Sequence, residues 1–139
     1  MTANAVRAES VKGASNFSVL IAWKGAEDKP YYRALLVSAT RATLIDNKPF
    51  WGYAVISSVE FDRVMDILEG QNLNLIKGTH QGNEPEYYLE VDTNGEKYYR
   101  SLGFDRNNPE ILIQLAKALE AANQKPILDI VARISSQFS

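Results

Sequence analysis

The hydrophobic pattern of the first half of the chain is mostly that of β-strands. Large apolar residues recur at every second position of Phe17–Trp23, which predicts a strand. Residues 31–39 fit either a helix that starts after Pro30 or a strand, and we favour a strand that pairs back on the first one. Two short strands are predicted at Thr43–Asp46 and Phe50–Ile56, because turn-forming residues separate them.

The second half of the chain adds helices, in which apolar residues recur every three or four positions. The clearest helix begins at Ser57, which forms a capping box with Glu60, and ends with Gly70 at the C′ position. Two amphipathic C-terminal helices follow. The first is capped by Asn108, and the second carries its apolar stripe from Ile127 onward.

Three acids of the first predicted helix, Asp62, Asp66 and Glu69, lie off its apolar stripe. Carboxylates at this spacing fit either a cation site or an ordinary solvated helix face. We favour the solvated face, because no loop with liganding residues accompanies them.

The dipeptide Asn94–Gly95 stands between two alternating runs and predicts a β-hairpin with a type I′ turn. A two-residue loop pairs residues 87–93 with residues 96–102 and leaves Arg100 on the apolar face, opposite Leu89. The opposite face of the hairpin is polar and carries Tyr88, Glu90, Asp92, Lys97, Tyr99 and Ser101.

These elements predict a single α+β domain over residues 17–139. A mainly antiparallel sheet, which includes a short strand at Leu73–Lys77, packs against amphipathic helices, including the two C-terminal ones. Residues 1–16 are small, polar and weakly patterned, with Val6 and Val11 too sparse to anchor them well. We therefore expect a flexible N-terminal arm.

Charge and composition exclude several classes of function. The 139 residues include 15 basic and 17 acidic ones, so no basic surface for nucleic acid is expected. The absence of cysteine excludes disulfides and thiolate metal sites. No apolar run is long enough to span a membrane, and the first 16 residues lack the apolar core of a signal peptide. We expect a soluble domain, either cytoplasmic or secreted or periplasmic after loss of a leader.

No catalytic, nucleotide-binding or metal-binding motif is found, so no catalytic residue, metal site or cofactor is predicted. The single histidine, His80, lies in a glycine-flanked loop and is either a solvated residue or a general base. Arg100 either extends its guanidinium to the sheet edge or a carboxylate, or anchors an anion. If His80 is a general base and Arg100 anchors an anion, the alternative function is a small enzyme or small-ligand binder that uses residues 78–90 with His80 and Arg100.

Aromatic residues in the predicted strands supply the leading functional hypothesis. Trp51 and Tyr53 share one face of their strand, next to Gly52, which we interpret as a bulge. Tyr88 and Tyr99 share the polar face of the hairpin. Aromatic residues of strands either fill a core or form a recognition surface. We expect a non-catalytic binding or protein-interaction domain, whose partner is another protein or a second copy of the chain.

Overall fold

The structure, a computed structural model of the chain, describes residues 5–23, 32–45, 52–79, 87–103, 110–122 and 124–138. The strands of this part of the chain are β1 (Ala5–Val6), β2 (Phe17–Trp23), β3 (Tyr32–Val37), β4 (Gly52–Val55), β5 (Leu75–Lys77), β6 (Tyr87–Thr93) and β7 (Glu96–Gly103). The helices are α1 (Ala39–Ile45), α2 (Ser58–Gly70), α3 (Glu110–Glu120) and α4 (Lys125–Phe138). The predicted α+β class, with its mainly antiparallel sheet and two C-terminal helices, is confirmed.

The seven described strands form one sheet in the order β1-β5-β7-β6-β2-β3-β4. Neighbouring strands are antiparallel except β3 and β4, which are parallel. One face of the sheet, here called the core face, packs against α2, α3 and α4 and contributes buried residues that include Phe17, Val19, Ile21, Leu36, Leu89 and Val91. We call the opposite face the α1 face, because side chains on it contact α1.

The strand prediction for residues 31–39 is confirmed over Tyr32–Val37, which pairs antiparallel with β2. The predicted strand at Thr43–Asp46 is wrong, because Ala39–Ile45 is helical. A parallel pair needs a crossover connection, and α1 provides the crossover from β3 to β4. The predicted strand at 50–56 is observed over Gly52–Val55, whereas the predicted turn at 46–49 lies outside the described residues.

The predicted hairpin register is confirmed from Thr93–Glu96 to Tyr88–Ser101. It differs only at the far end, where an irregularity next to Tyr87 pairs that residue with Gly103 instead of Leu102. The turn residues Asn94 and Gly95 have φ angles of 54° and 91°, as a type I′ turn requires. Local turn chemistry therefore determines which hairpin side chains share a face.

The start of α2 is as predicted, and its end is not. The Ser57 hydroxyl accepts a hydrogen bond from the Val59 amide (3.2 Å) and donates to the Glu60 carboxylate. At the other end, Gly70 is still helical, and Asn72 takes the left-handed conformation with φ 58°. The Leu73 amide donates to the Leu68 carbonyl (2.9 Å), which is the main bond of a Schellman motif. Asparagine tolerates this conformation, so the helix does not need to end at its glycine.

Residues 5–16, for which the sequence predicted an arm, lie against the domain. β1 pairs with β5, and Ala8–Val11 form a 3₁₀ turn in which Ala8 is fully buried. Val6 and Val11 are partly buried against the core. None of the helices in the described ranges is long and apolar enough to cross a membrane. The predicted cap Asn108 lies outside those ranges.

Candidate binding surface on the α1 face

Tyr88 and Tyr99 lie on the α1 face, on neighbouring strands. Tyr99 pairs with Glu90, which is two residues from Tyr88 on β6, so the two tyrosines are diagonal neighbours. Such neighbours are about 7–8 Å apart, close enough for aromatic side chains to meet. Both tyrosines are half-buried and make polar or ring interactions with other groups. They and Glu90 form the centre of the candidate site.

Tyr53 lies in the same row of the sheet but far from that centre. The row runs from Tyr99 through Glu90, Leu20 and Leu35 to Tyr53. Four strand spacings separate its ends, which corresponds to about 19 Å. The Tyr53 hydroxyl donates to the Ala42 carbonyl of α1 (3.0 Å), so this tyrosine holds the crossover helix on the sheet. Trp51, its predicted neighbour, lies outside the described residues.

A depression of about 180 Å³ opens beside Glu90. Its lining is mixed in polarity and comprises Ser18, Leu20, Thr79, Glu90, Val91, Asp92, Lys97 and Tyr98. Ligand pockets usually measure about 300–1,000 Å³, so this space is small for a cofactor. It has the size of one protruding side chain.

An ion pair between α1 and β6 borders the depression. Nη1 of Arg41 lies 2.8 Å from Oδ1 of Asp92, and both side chains are at least four-fifths buried. Asp92 also accepts from the Gly95 amide of the hairpin turn (3.3 Å). The pair therefore joins the crossover helix to the hairpin and neutralises a carboxylate that lines the candidate site. Sequence reasoning missed Arg41, because the segment after it was taken for a strand.

Arg100 lies on the core face, opposite Leu89, as the hairpin register predicted. Its guanidinium donates to two main-chain carbonyls, that of Ser101 (3.2 Å, from Nε) and that of Asn74 (3.4 Å, from Nη1). Glu90 lies on the opposite face of the sheet, so the structure does not bring Arg100 and this acid together. His80 lies outside the described residues. Arg100 therefore bonds to the main chain at the start of β5 and lies away from the tyrosine pair.

Metal-ligating side chains do not gather in groups of three or more anywhere in the part of the chain that the structure describes. Glu90 and Lys97 contribute a carboxylate and an ammonium group to the lining of the depression, and Tyr99 pairs with Glu90 on the neighbouring strand. This arrangement of aromatic and charged side chains can recognise a surface. No family model, curated protein or solved structure matches the chain.

Proposed function

We propose that this domain is a non-catalytic protein-binding module that binds its partner on the α1 face, centred on Tyr88 and Tyr99. The observation that carries the proposal is the diagonal juxtaposition of two half-buried tyrosines on neighbouring strands, next to Glu90, which lines a shallow depression of mixed polarity. Tyrosine combines a rigid apolar ring with a hydroxyl, so it contributes strongly to interfaces at low entropic cost.

The charges around the tyrosines favour a protein over a nucleic acid. Glu90, Asp92 and Lys97 all line the depression, and Asp92 is already paired with Arg41. A nucleic-acid groove needs an excess of basic residues, whereas this surface is nearly balanced. The size of the depression, about 180 Å³, suits one inserted side chain of a partner.

A site-specific crosslinking experiment tests the proposal. A photoreactive residue replaces Lys97, which is exposed at the candidate site, and in a control protein it replaces Lys125, which is exposed on α4. Extract from the organism that makes the protein is irradiated, and the products are identified by mass spectrometry. We expect a product at position 97 that position 125 does not give.

Two substitutions then measure the contribution of the tyrosines to binding of the identified partner. Tyr88→Ala and Tyr99→Ala should each weaken binding by about 2 kcal/mol, roughly 30-fold in Kd, if they are central contacts. Val59→Ala, which changes an exposed apolar residue of α2, should leave Kd unchanged. Partner binding that survives both tyrosine substitutions in folded protein would refute the proposal, as would equal crosslinking at positions 97 and 125.

A further inference from the structure

The N-terminal segment Ala5–Gly13, here called the strap, lies in a groove between α2 and β5. Its main chain pairs with β5 at two positions, Ala5 with Ile76 and Val6 with Leu75. The 3₁₀ turn that follows contacts α2, and its residue Ala8 is completely buried. The groove therefore accepts an extended chain followed by a small side chain.

Three carboxylates of α2, here called the acidic stripe, bind the strap at positions from Arg7 to Gly13. Arg7 donates from Nε to Oε1 of Glu69 (2.7 Å), and Lys12 donates to Oδ1 of Asp66 (2.6 Å). The third acid, Asp62, accepts from the amide of Gly13 (3.0 Å). Thus each of the three carboxylates off the apolar stripe binds the strap, while Asp66 also stays more than half exposed to solvent, as a solvated helix face predicts.

These contacts also change proton affinities. The hydrogen bond from Arg7 lowers the pKa of Glu69, with a further contribution from the Glu9 amide. The hydrogen bond to Asp66 raises the pKa of Lys12. Both shifts have the direction expected for oppositely charged partners, so the strap and the acidic face of α2 are complementary in charge.

Three features of the attachment nevertheless favour local opening. The side chains of Arg7 and Lys12 are 66% and 36% exposed, so water and salt screen their ion pairs. β1 has only two residues, and Ala8 is the only buried residue of the strap, although Val6 and Val11 also pack partly against the core. Segments with few fully buried residues open locally at a fraction of the global unfolding free energy. At the end of the strap, Gly13 has φ 83° and space around it, which suits a hinge.

Opening of the strap would uncover a sheet edge beside an acidic helix face. The edge is β5, whose main-chain groups are then free to pair with another extended chain. The helix face presents Asp62, Asp66 and Glu69 at the side of that edge. An incoming chain with basic side chains would find the same partners that the strap uses.

We propose that the groove between α2 and β5 is a docking site for an extended, basic peptide of a partner protein, and that the strap is its built-in competitor. The occupant that fits has a main chain able to pair with β5, a small residue at the position of Ala8, and basic residues at the positions of Arg7 and Lys12. An acidic peptide is rejected by the α2 stripe. This site is separate from the tyrosine surface on the α1 face.

A competition experiment on the full chain tests this site. The probe is a fluorescent synthetic peptide with the sequence of residues 1–16. In the variant R7E/K12E the strap is repelled by the α2 stripe, and we expect it to bind the probe at least tenfold more tightly than the wild type does. A control peptide in which Glu replaces Arg7 and Lys12 should not bind this variant.

Charge reversal on the helix supplies the matched control. Adding D66K/E69K to R7E/K12E reverses the charges on both the strap and α2, so that they are complementary again. The strap should then return to the groove, and the probe should again bind weakly. Equal binding of the probe to all three proteins, or no binding to R7E/K12E, would overturn the proposal. A wild-type dimer that dissociates on D66K/E69K substitution would also overturn it, because the occupant would then be the strap of a second copy.

Hydrogen exchange on the wild-type protein tests the same attachment without the R7E/K12E variant, which is useful if that variant does not fold. The amides of the strap should exchange much faster than those of β2, in the centre of the sheet, and faster still as salt concentration rises. Protection of the strap equal to that of β2 would mean that the strap is a permanent part of the fold, and would overturn the proposal.

Discussion

Replacement of Gly52 by alanine tests how β4 is held in the sheet. An added Cβ would lie 2.8 Å from Cγ1 of Ile130 in α4, and 3.4 Å from the Cβ of Ala34 on β3. Cγ1 belongs to a β-branched side chain that is almost completely buried, so it has little room to move. Gly52 is therefore required by the close approach of α4, and the bulge interpretation is replaced by this contact.

The expected cost follows from two opposing effects. Overpacking of a filled core costs about 1–3 kcal/mol, while loss of glycine's freedom in the unfolded chain returns about 0.4–1 kcal/mol. Gly52→Ala should thus lower the free energy of unfolding by about 1–2 kcal/mol. With a urea m-value of about 1–3 kcal/mol per M, the unfolding midpoint should fall by roughly 0.5–1 M.

Urea unfolding followed by tryptophan fluorescence measures this change, with Gly70→Ala as the matched control. An added Cβ at Gly70 meets nothing within 4 Å, so this substitution should stabilise the last turn of α2 by about 0.5–1 kcal/mol. In the double variant G52A/I130A the contact between the added Cβ and Ile130 is absent. The free energy of unfolding of this variant should therefore fall by less than the sum of the losses in the two single variants. A midpoint of Gly52→Ala at or above that of the wild type would show that α4 does not pack on β4 at this distance.

Three further predictions concern the hairpin, the crossover helix and the strap. Gly95→Ala places a side chain at φ 91° and should lower the free energy of unfolding, measured with urea, by about 1–3 kcal/mol, whereas Asn94→Gly, which keeps the turn type accessible, should lower it less. Equal losses for the two variants would contradict the type I′ turn. Arg41→Gln leaves the mostly buried Asp92 without its charge partner, so it should lower the free energy of unfolding by about 1–3 kcal/mol, while Lys125→Gln, in an exposed pair, should change it by less than about 0.5 kcal/mol. A negligible loss for Arg41→Gln would show that the pair does not hold α1. Because Arg7 lowers the pKa of Glu69, the ionised Glu69 carboxylate stabilises the strap fully at pH values above the ordinary pKa of glutamate, and this stabilisation is lost as the pH falls through the lowered pKa. Hydrogen exchange of the strap amides, corrected for intrinsic rates, should therefore become faster in that pH range for the wild type and depend less on pH in Glu69→Gln.

The centre of the candidate site could be predicted from the sequence, and its surroundings could not. Asn94–Gly95 determines a register that brings Tyr88 and Tyr99 to neighbouring positions, since the turn acts within the chain segment itself. The ion pair of Arg41 with Asp92 joins residues 51 positions apart, and depends on a helix that the pattern of residues 43–46 did not reveal. No local signal specifies such a contact.

The sequence by itself determined the α+β class, the hairpin register, the start of α2 and the two C-terminal helices, because each depends on turn chemistry, capping or periodicity within one segment. Only the tertiary structure decided that β4 joins β3 in parallel, that Asn72 rather than Gly70 ends α2, and that the acidic stripe of α2 binds the chain's own N-terminal segment. The parallel pairing and the strap contacts depend on partners distant in sequence, whereas the end of α2 depends on a local Schellman motif that asparagine as well as glycine can form. A weakly patterned segment gains order when a sheet edge and complementary charges surround it.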